Sequence, residues 1–433
     1  MEEFIQQSEQ LLGFIHTSPS CFHAVSNMAT MLTKAGFKEL FLSDKWNIEA
    51  SGLYFVRQND SALFAFTLGN EPLPSSGFRF ITAHSDSPTF RIKPTPEIVV
   101  PGGMLKLNTE VYGGPILMSW LDRPLSVAGR VVLRSGNPLQ PKHALVDLQR
   151  PIGVIPSVAI HLNKQVNSGI ELNPQTDMNL FVATVNDNFV RKDALLRAVA
   201  EELKVDAADI LDCDLYLYDV QRGCILGLEN NLILSHKLDN LAMAYAGVQA
   251  LLASVGAGKN NMLCVFDNEE VGSGTKQGAA APTLRHILQR ICEKLSLTTE
   301  DFQRMLYHSF MISADQAHAL HPNAVSKHDP VLHPILNGGP VVKYNARQKY
   351  MTDADGAAVF TTLCKQAGVP YQLYANRSDV PGGSTLGNIL TSQLDIRGVD
   401  MGNPMLGMHS SRETGGVLDQ WYATRVFTQF FTV

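Results

Sequence analysis

Three apolar segments of the sequence each run directly into side chains that can bind a metal ion. Short apolar segments of this kind are typical of buried strands, and open α/β sheets bind their ligands beyond the carboxyl ends of their strands. The segments and the side chains after them are 78–83 with His84 and Asp86, 262–266 with Glu269 and Glu270, and 310–313 with Asp315. We therefore expect these side chains to meet at one edge of a sheet.

Two further candidate ligands stand at the edges of other segments. Asp239 precedes an apolar helical pattern, and His409 lies in the glycine-rich stretch 402–416. The full candidate set is His84, Asp239, Glu270, Asp315 and His409. Two imidazoles and three carboxylates suit Zn²⁺ without thiolates. Three negative charges in one pocket repel one another, and two divalent cations about 3.5–4 Å apart would offset that repulsion.

The adjacent carboxylates Glu269 and Glu270 indicate a catalytic role. If the chain turns sharply after the strand, one carboxylate can bind metal while the other stays beside the bound water as a general base. Zinc lowers the pKa of its water from 15.7 toward about 7, so a nearby glutamate can take the proton at neutral pH. The same glutamate can then return the proton to a leaving amine.

Each of these residues also has an ordinary structural explanation. An isolated His-x-Asp is usually a satisfied polar pair, Glu-Glu pairs are usually solvated surface charge, and Asp239 with Asn240 alone resembles a helix N-cap. His318 and His321, three residues apart, fit one face of a helix. The joint occurrence of the ligand types at strand ends favours the catalytic explanation. The sequence has no His-Glu-x-x-His and no Gly-x-Ser-x-Gly motif of other hydrolases.

The elements that must position these residues follow a pattern of α/β alternation with one interruption. Apolar spacing in 2–36 predicts two helices separated at Ser18-Pro19-Ser20. The segment 94–233 is rich in short β patterns and turns, with one helical stretch near 194–203. We expect a three-layer α/β/α catalytic domain with a mostly parallel sheet, built from 1–93 and 234–433, and an inserted, mostly β domain over 94–233.

Composition excludes several classes of protein. The chain has 433 residues, of which 45% are hydrophobic and 18% charged, as is ordinary for a globular protein large enough for two domains. The net charge of -6 gives no basis for nucleic-acid binding, and no stretch reaches the roughly 18 consecutive apolar residues that cross a bilayer. Six cysteines without a C-x-x-C pair, and an N-terminus unlike a secretory signal, predict reduced thiols and a cytoplasmic location.

Seven motifs follow one another along the chain. They are Thr-Ala-His-Ser-Asp-Ser-Pro at 82–88, Lys-Leu-Asp-Asn-Leu at 237–241, Asp-Asn-Glu-Glu-Val-Gly-Ser at 267–273, Ser-Ala-Asp at 313–315, His-Ala-Leu-His-Pro-Asn at 318–323, Gly-Pro-Val-Val-Lys at 339–343 and Met-His-Ser-Ser-Arg-Glu at 408–413. Together they resemble the aspartyl aminopeptidase family of dizinc metallo-aminopeptidases, in a bacterial form. The match extends from Ser18-Pro19-Ser20 almost to the C-terminus.

The resemblance implies a zinc-exopeptidase fold and two Zn²⁺ per subunit, with Mn²⁺ or Co²⁺ as alternatives. One zinc would be held by His84 and Asp315, and the other by Glu270 and His409, with Asp239 bridging the two. This ligand set agrees with the one that the strand ends suggest.

The resemblance also implies the reaction. Peptides would lose their N-terminal residue, preferably Asp or Glu, through a metal-bridging water activated by Glu269. Asp86 would orient the catalytic glutamate or a ligand. Lys343, together with His318 and His321, would lie near the pocket for the acidic side chain, where an ammonium can pair with a carboxylate.

Members of the family form a tetrahedral dodecamer built from dimers, so the resemblance implies a homo-oligomer with the inserted domain at the dimer contact. The segment 155–163 resembles the loop that sends a histidine, here His161, into the neighbouring subunit's active site. Two alternatives remain at this point: a dizinc aminopeptidase of neutral preference or a related deacylase, and a catalytically silent scaffold. Glu269 argues against the scaffold, because a structural metal site needs no carboxylate beside its ligands.

Overall fold

Helices and strands alternate along most of the chain in the computed structural model, which describes residues 2–184, 189 and 191–433. The helices are α1 (Glu3–His16), α2 (Cys21–Lys34), α3 (Leu73–Ser76), α4 (Pro174–Asp177), α5 (Ala194–Leu203), α6 (Leu238–Ala253), α7 (Thr283–Lys294), α8 (Thr299–His308), α9 (Ala354–Ala367), α10 (Leu386–Thr391) and α11 (Val417–Thr432). The strands are β1 (Lys38–Glu39), β2 (Leu53–Gln58), β3 (Ala62–Thr67), β4 (Arg79–His84), β5 (Thr89–Val100), β6 (Met104–Tyr112), β7 (Leu125–Leu133), β8 (Lys142–Asp147), β9 (Leu180–Thr184), β10 (Ile210–Asp219), β11 (Cys224–Leu226), β12 (Leu232–Ser235), β13 (Asn261–Phe266), β14 (Phe310–Ala314), β15 (Ala317–His318), β16 (Val341–Tyr344), β17 (Gln372–Ala375), β18 (Arg397–Gly402), β19 (Pro404–Leu406) and β20 (Glu413–Gly416).

The two helices predicted near the N-terminus are confirmed as α1 and α2. Ser20 caps α2 by accepting a hydrogen bond from the backbone N–H of His23 at 3.4 Å. Pro19 precedes this cap rather than standing inside the helix. Within the described part of the chain, no helix combines the length and the apolar character that a membrane crossing requires.

The chain divides into two compact units. The first consists of Met1–Asp86, Gly223–Met408 and Glu413–Val433, and the second of Ser87–Arg222 with the short segment His409–Arg412. That residues 94–233 form an independent inserted domain stays a prediction.

The first unit contains a nine-stranded sheet among the described residues, in the order β1-β2-β3-β13-β4-β14-β18-β16-β17. Its four central strands, β13, β4, β14 and β18, are parallel neighbours. Antiparallel pairing appears toward the edges, between β2 and β3, β3 and β13, and β16 and β18. The pairs β1–β2 and β16–β17 are parallel as well, so the sheet is mostly parallel, as expected. The hairpin of β2 and β3 is antiparallel because its connection is short.

Helices cover both faces of this sheet, which gives the three-layer architecture. On β4, Phe80 packs with the side of the sheet that carries α7, α8 and α10, whereas the next residue, Ile81, packs with α1, α2, α6, α9 and α11. Cys264 and Val265 of β13 divide between the same two cores. Successive side chains of a strand point to opposite faces, so strands buried on both faces are apolar throughout, as the sequence shows.

The second unit is built on a six-stranded sheet in the order β8-β7-β10-β5-β6-β9. Its neighbouring strands are antiparallel. Helix α5 coincides with the predicted helical stretch. Its Leu195 and Val199 belong to the same hydrophobic core as Val131 and Leu215 of the sheet. A smaller sheet with the order β11-β12-β20-β19-β15 belongs to the first unit.

A buried carboxylate near the start of α11 holds the chain that leads into β16. Asp419 is 1% exposed and accepts hydrogen bonds from the backbone N–H groups of Asn337 at 2.6 Å and Gly339 at 2.8 Å. Burial raises the pKa of Asp419 to about 7, although these two bonds lower it. Since the pKa is higher in the folded than in the unfolded chain, folding is favoured by protonation of Asp419. Its contribution to stability is most favourable below about pH 4 and declines as the pH rises to about 7.

Asp419→Asn should remove this pH dependence. The variant loses one hydrogen-bond acceptor at every pH, but its stability relative to the wild type should improve between pH 5 and pH 8, by about 2–3 kcal/mol. Urea unfolding at the two pH values measures the change. Asp353→Asn is the control, because Asp353 is exposed and also accepts a backbone hydrogen bond, at 2.8 Å from Gly356. An equal offset at both pH values for Asp419→Asn would contradict the prediction.

Candidate metal centre

Three neighbouring strands of the large sheet end at the same edge and carry candidate ligands there. His84, the last residue of β4, is paired in register with Phe266, the last residue of β13. Glu269 and Glu270 follow in a short 3₁₀ turn, and Asp315 comes directly after β14. Asp239 is the second residue of α6. The parallel strands thus bring together side chains that are distant in sequence.

The candidate ligand atoms of the first unit lie within reach of one metal site. His84 Nε2 is 3.4 Å from Asp239 Oδ1 and 3.5 Å from Asp315 Oδ1. One ligand atom from each of His84, Asp239 and Asp315 lies within 4.8 Å of the others, and the same holds for His84, Glu269 and Glu270. Because His84 and Asp239 are buried, the carboxylates face a pocket with little bulk water around them.

The orientation of His84 is set by its other ring nitrogen. Nδ1 is 3.0 Å from the backbone carbonyl oxygen of Asp86 and 3.4 Å from Asp86 Oδ1. A carbonyl oxygen only accepts, so Nδ1 carries the proton and donates it. Nε2 is then the nitrogen whose lone pair can bind a metal ion once the ring is neutral, which is the tautomer that a metal-binding imidazole needs.

The Asp86 carboxylate also fixes the turn after β13. Its two oxygens accept hydrogen bonds from the backbone N–H groups of Glu269 and Glu270, each at 3.2 Å. The turn begins at Asn268, whose φ of 61° lies in the left-handed region that asparagine tolerates better than most residues. The sharp turn expected between strand and glutamates is therefore present.

The electrostatics of the pocket favour a bound cation. Burial, with repulsion from carboxylates such as Asp315, raises the pKa of Glu269 to about 8. Burial and the neighbouring Asp239 raise the pKa of Glu270 well above its ordinary value. For His84, burial lowers the pKa, but the carboxylates around it outweigh burial and raise the pKa overall. The raised pKa values mean that these imidazole and carboxylate groups bind protons strongly. A zinc ion competes with protons for such groups, so the set of donors suits Zn²⁺.

Lys343 lies beside this cluster. It is 2% exposed, and its Nζ donates a hydrogen bond to the backbone carbonyl oxygen of Gln316 at 3.0 Å. Nζ is also 3.8 Å from Asp315 Oδ2 and 5.2 Å from the centre of the Tyr350 ring. No sequence pattern singled out Tyr350. The predicted substrate-binding lysine is thus next to a candidate metal ligand.

His318 and His321 lie on a strand and a loop, so the explanation that they share a helix face is wrong. His318 belongs to β15, is exposed, and places its ring 6.0 Å from that of Tyr374. His321 Nδ1 accepts a hydrogen bond from the backbone N–H of Asn323 at 3.2 Å, and the His321 N–H donates to His328 Nε2 at 3.0 Å. Their role in substrate binding stays a prediction.

His409 and His161 belong to the second unit. His409 has a φ of 69°, and its Nδ1 is 3.1 Å from the carbonyl oxygen of Gly114, which leaves Nε2 as the nitrogen suited to a metal. His161 is exposed in a loop. The assignments of His409 as a ligand and of His161 as a substrate-binding residue stay predictions.

The chain matches a known family model along almost its whole length. The model describes an "Aminopeptidase I zinc metalloprotease (M18)" and matches residues 14–431. This chain belongs to the M18 aminopeptidase family. The predicted family is confirmed, and with it the class of enzyme: the M18 protein is a metallo-aminopeptidase from a family of zinc hydrolases.

Relatives of this M18 aminopeptidase include the "Probable M18 family aminopeptidase 2" of Clostridium acetobutylicum, 47% identical over 433 residues that span all of both chains. The cryo-EM structure of the Ape4 and Nbr1 complex contains a chain with a TM-score of 0.95 and 35% identity, covering 100% of this chain and 87% of that one. The S. cerevisiae mApe1 dodecamer has a TM-score of 0.86 and 27% identity, covering 99% and 97%. The predicted fold class is confirmed by these likenesses.

In this M18 protein, Glu413, to which the motifs gave no role, contacts the candidate ligand Asp239. Glu413 is buried, and its Oε2 accepts a hydrogen bond from the backbone N–H of Asp239 at 3.1 Å. Glu413 stands four residues after His409 in the motif 408–413, and this position could have indicated that it lies near the candidate ligands. At the start of α6, the N-cap position is Lys237, whose side chain makes no capping hydrogen bond, and Asp239 and Asn240 follow with non-helical φ and ψ angles.

Proposed function

We propose that this M18 enzyme is a two-zinc aminopeptidase that removes N-terminal residues, preferably Asp or Glu, from peptides. The observation that carries the proposal is the convergence of His84, Asp239, Asp315, Glu269 and Glu270, two of them buried and three half-buried, at the edge where parallel strands end. A structural site for a single metal does not need so many carboxylates.

The proposed assignment of ligands divides these side chains between two zinc ions. His84 and Asp315 would hold one zinc, Glu270 and His409 would hold the other, and Asp239 would be shared. The close approach of His84 to both Asp239 and Asp315 supports the first group. Sharing one carboxylate between two cations neutralises the pocket with few ligands.

Glu269 is the proposed general base. Zinc, when bound, supplies a Lewis acid that polarises the scissile carbonyl and lowers the pKa of a water toward about 7. Glu269 takes a proton from the attacking water as the water oxygen adds to the carbonyl carbon. It returns that proton to the leaving amine when the C–N bond breaks, which releases the amino acid and the shortened peptide. Asp86 keeps Glu269 in position by holding its backbone N–H.

Lys343 is proposed to bind the acidic side chain of the substrate, with His318 and His321 proposed beside the same pocket. An ammonium carries three donors, and the Gln316 carbonyl takes one of them. In a buried position, an acidic substrate side chain gives the ammonium a charged partner, whereas a neutral side chain leaves it less well compensated.

Turnover of Asp-, Glu- and Leu-anilides by the zinc-loaded enzyme tests this function. We expect the acidic substrates to have the higher kcat/KM. Lys343→Met should lower the ratio of Asp to Leu turnover by about 10- to 100-fold, the equivalent of roughly 1–3 kcal/mol, because only the acidic substrate loses a charged partner.

The Leu-anilide is the internal control for this experiment. Since Lys343 Nζ lies 3.8 Å from Asp315 Oδ2, zinc content per chain must be measured as well, and unchanged zinc with a lower Asp/Leu ratio supports the assignment. A wild-type preference for Leu would point to an aminopeptidase of neutral preference. Release of acyl groups without release of amino acids would point to a deacylase.

We also propose that the chain forms a homo-oligomer in the cytoplasm, a tetrahedral dodecamer built from dimers. One structural relative is described as a dodecamer. The loop around His161 exposes the apolar side chains of Val158 and Leu162, by 58% and 83%, as suits a surface that another copy covers. His161 would enter the neighbouring active site from this loop. The six cysteines, all free thiols in the structure, suit a reducing compartment.

A further inference from the structure

The segments around Asp239 and Asp315 are joined by two hydrogen bonds with the same chemistry. Asn240 Nδ2 donates to the carbonyl oxygen of the residue before Asp315, at 2.8 Å. Gln316 Nε2 donates to the carbonyl oxygen of the residue before Asp239, at 2.9 Å. Each carboxamide follows one aspartate and reaches the peptide group that precedes the other. The two bonds therefore enclose both aspartates in a reciprocal pair.

Both bonds are buried. Asn240 is 0% and Gln316 4% exposed, and the accepting carbonyls belong to the buried residues Ala314 and Leu238. Water cannot replace a lost partner easily at such a place, so each bond restrains the distance between the two segments. The backbone N–H groups of the two aspartates are bonded to different partners, that of Asp239 to Glu413 and that of Asp315 to the Met401 carbonyl, so those bonds do not join the two segments to each other.

The choice of carboxamides fits the charge of the pocket. A carboxamide donates a hydrogen bond without carrying charge. A carboxylate at either place would add to the repulsion among Asp239, Asp315, Glu269 and Glu270, and an ammonium would compete with the cation that these groups bind. Asn and Gln supply the donor and leave the charge balance unchanged.

We propose that Asn240 and Gln316 form a carboxamide brace that sets the spacing of Asp239 and Asp315 and thereby the metal affinity of the site. The inference rests on the proposed function, in which the two aspartates are zinc ligands. Both amides are positioning residues, since they hold the main chain beside the ligands. Lys343 supports the same brace, because its Nζ donates to the Gln316 carbonyl at 3.0 Å.

A matched pair of variants tests the brace. Gln420, 2% exposed, donates from Nε2 to the carbonyl oxygen of Ala242 on α6 at 3.1 Å, so it makes an equivalent buried bond that does not join the Asp239 and Asp315 segments. Gln316→Met and Gln420→Met each remove one such donor and keep the side-chain length. We expect comparable losses of thermal stability, but a zinc affinity weakened by about 10- to 100-fold in Gln316→Met alone. Chelator competition on the metal-depleted full-length protein, refilled with zinc, measures the affinity.

Equal zinc affinity in the two variants would overturn the brace. If Gln316→Met does not fold, Gln316→Asn provides the same comparison: its shorter carboxamide does not reach the carbonyl, and zinc affinity at the wild-type level would again overturn the inference. A wild-type protein that binds zinc but cleaves no peptide would defeat the proposed function and leave the zinc comparison decisive for the brace. A wild-type protein that binds no zinc would overturn both.

Discussion

Replacement of Glu269 by glutamine is expected to lower kcat by about 10²- to 10⁴-fold while zinc stays bound. Glutamine has the same shape, and the backbone N–H of residue 269 still reaches Asp86, but the amide cannot accept the proton of the attacking water. Initial rates with the Asp-anilide and zinc content per chain are the two measurements. KM should change little, because the substitution removes a proton acceptor rather than a binding contact.

Two variants serve as controls for Glu269→Gln. Glu293→Gln changes an exposed glutamate on α7 of the same unit, 74% exposed at its side chain, and should leave kcat unchanged. Glu270→Gln changes the adjacent carboxylate and should lower zinc content, since that residue is the proposed ligand. Near-normal turnover by Glu269→Gln, with zinc bound, would refute the assignment of the base.

Asp239→Ala is expected to bind less than one zinc per chain and to lose activity on the order of 10³-fold or more, because the proposed bridging carboxylate serves both cations and each contributes several kcal/mol to the transition state. Zinc content by elemental analysis and kcat/KM with the Asp-anilide measure the effect. Because Asp239 is proposed to bind both ions, its loss should lower the occupancy of both, whereas loss of a ligand to one ion should lower the occupancy of that ion alone.

The control for Asp239→Ala is Asp419→Asn, which removes another buried carboxylate of the same unit. It should alter stability with pH, as described above, and keep its zinc. Two zinc ions per chain in Asp239→Ala would contradict the bridging role. A fall in zinc content in both variants would show that general destabilisation, rather than ligand loss, is responsible.

The resemblance to a known family and the positions where strands end could be predicted from the sequence, because both depend on short local patterns. The apolar runs before His84, before Glu269 and before Asp315 are buried strands. A strand covered by helices on both faces is apolar at almost every position, so a short stretch of sequence is enough to indicate it. The separation of the adjacent carboxylates Glu269 and Glu270 was conditional on a sharp turn after the strand, and the structure has that turn at Asn268.

Other sequence expectations depended on pairing partners that a local pattern does not reveal. The sheet is mostly parallel, as expected, and β1–β2 and β16–β17 are parallel at its two ends, but the positions of its antiparallel pairings depended on the partners of β2, β3 and β16. His318 and His321 have the spacing of a helix face, but β15 pairs with β19 and draws them into an extended strand and its following loop. The spacing of the two histidines alone does not show whether the segment forms a helix or pairs as a strand.

By itself, the sequence determined the kinds of side chain at the site and the elements that end there, because side-chain chemistry and apolar periodicity are properties of short segments. The tertiary structure alone decided which atoms meet: the Nε2 of His84 that faces two aspartates, the Asp86 carboxylate that holds the turn, and the amide of Asn240 that bonds a carbonyl 74 residues away. Such distances result from packing of the whole unit, which no short segment encodes.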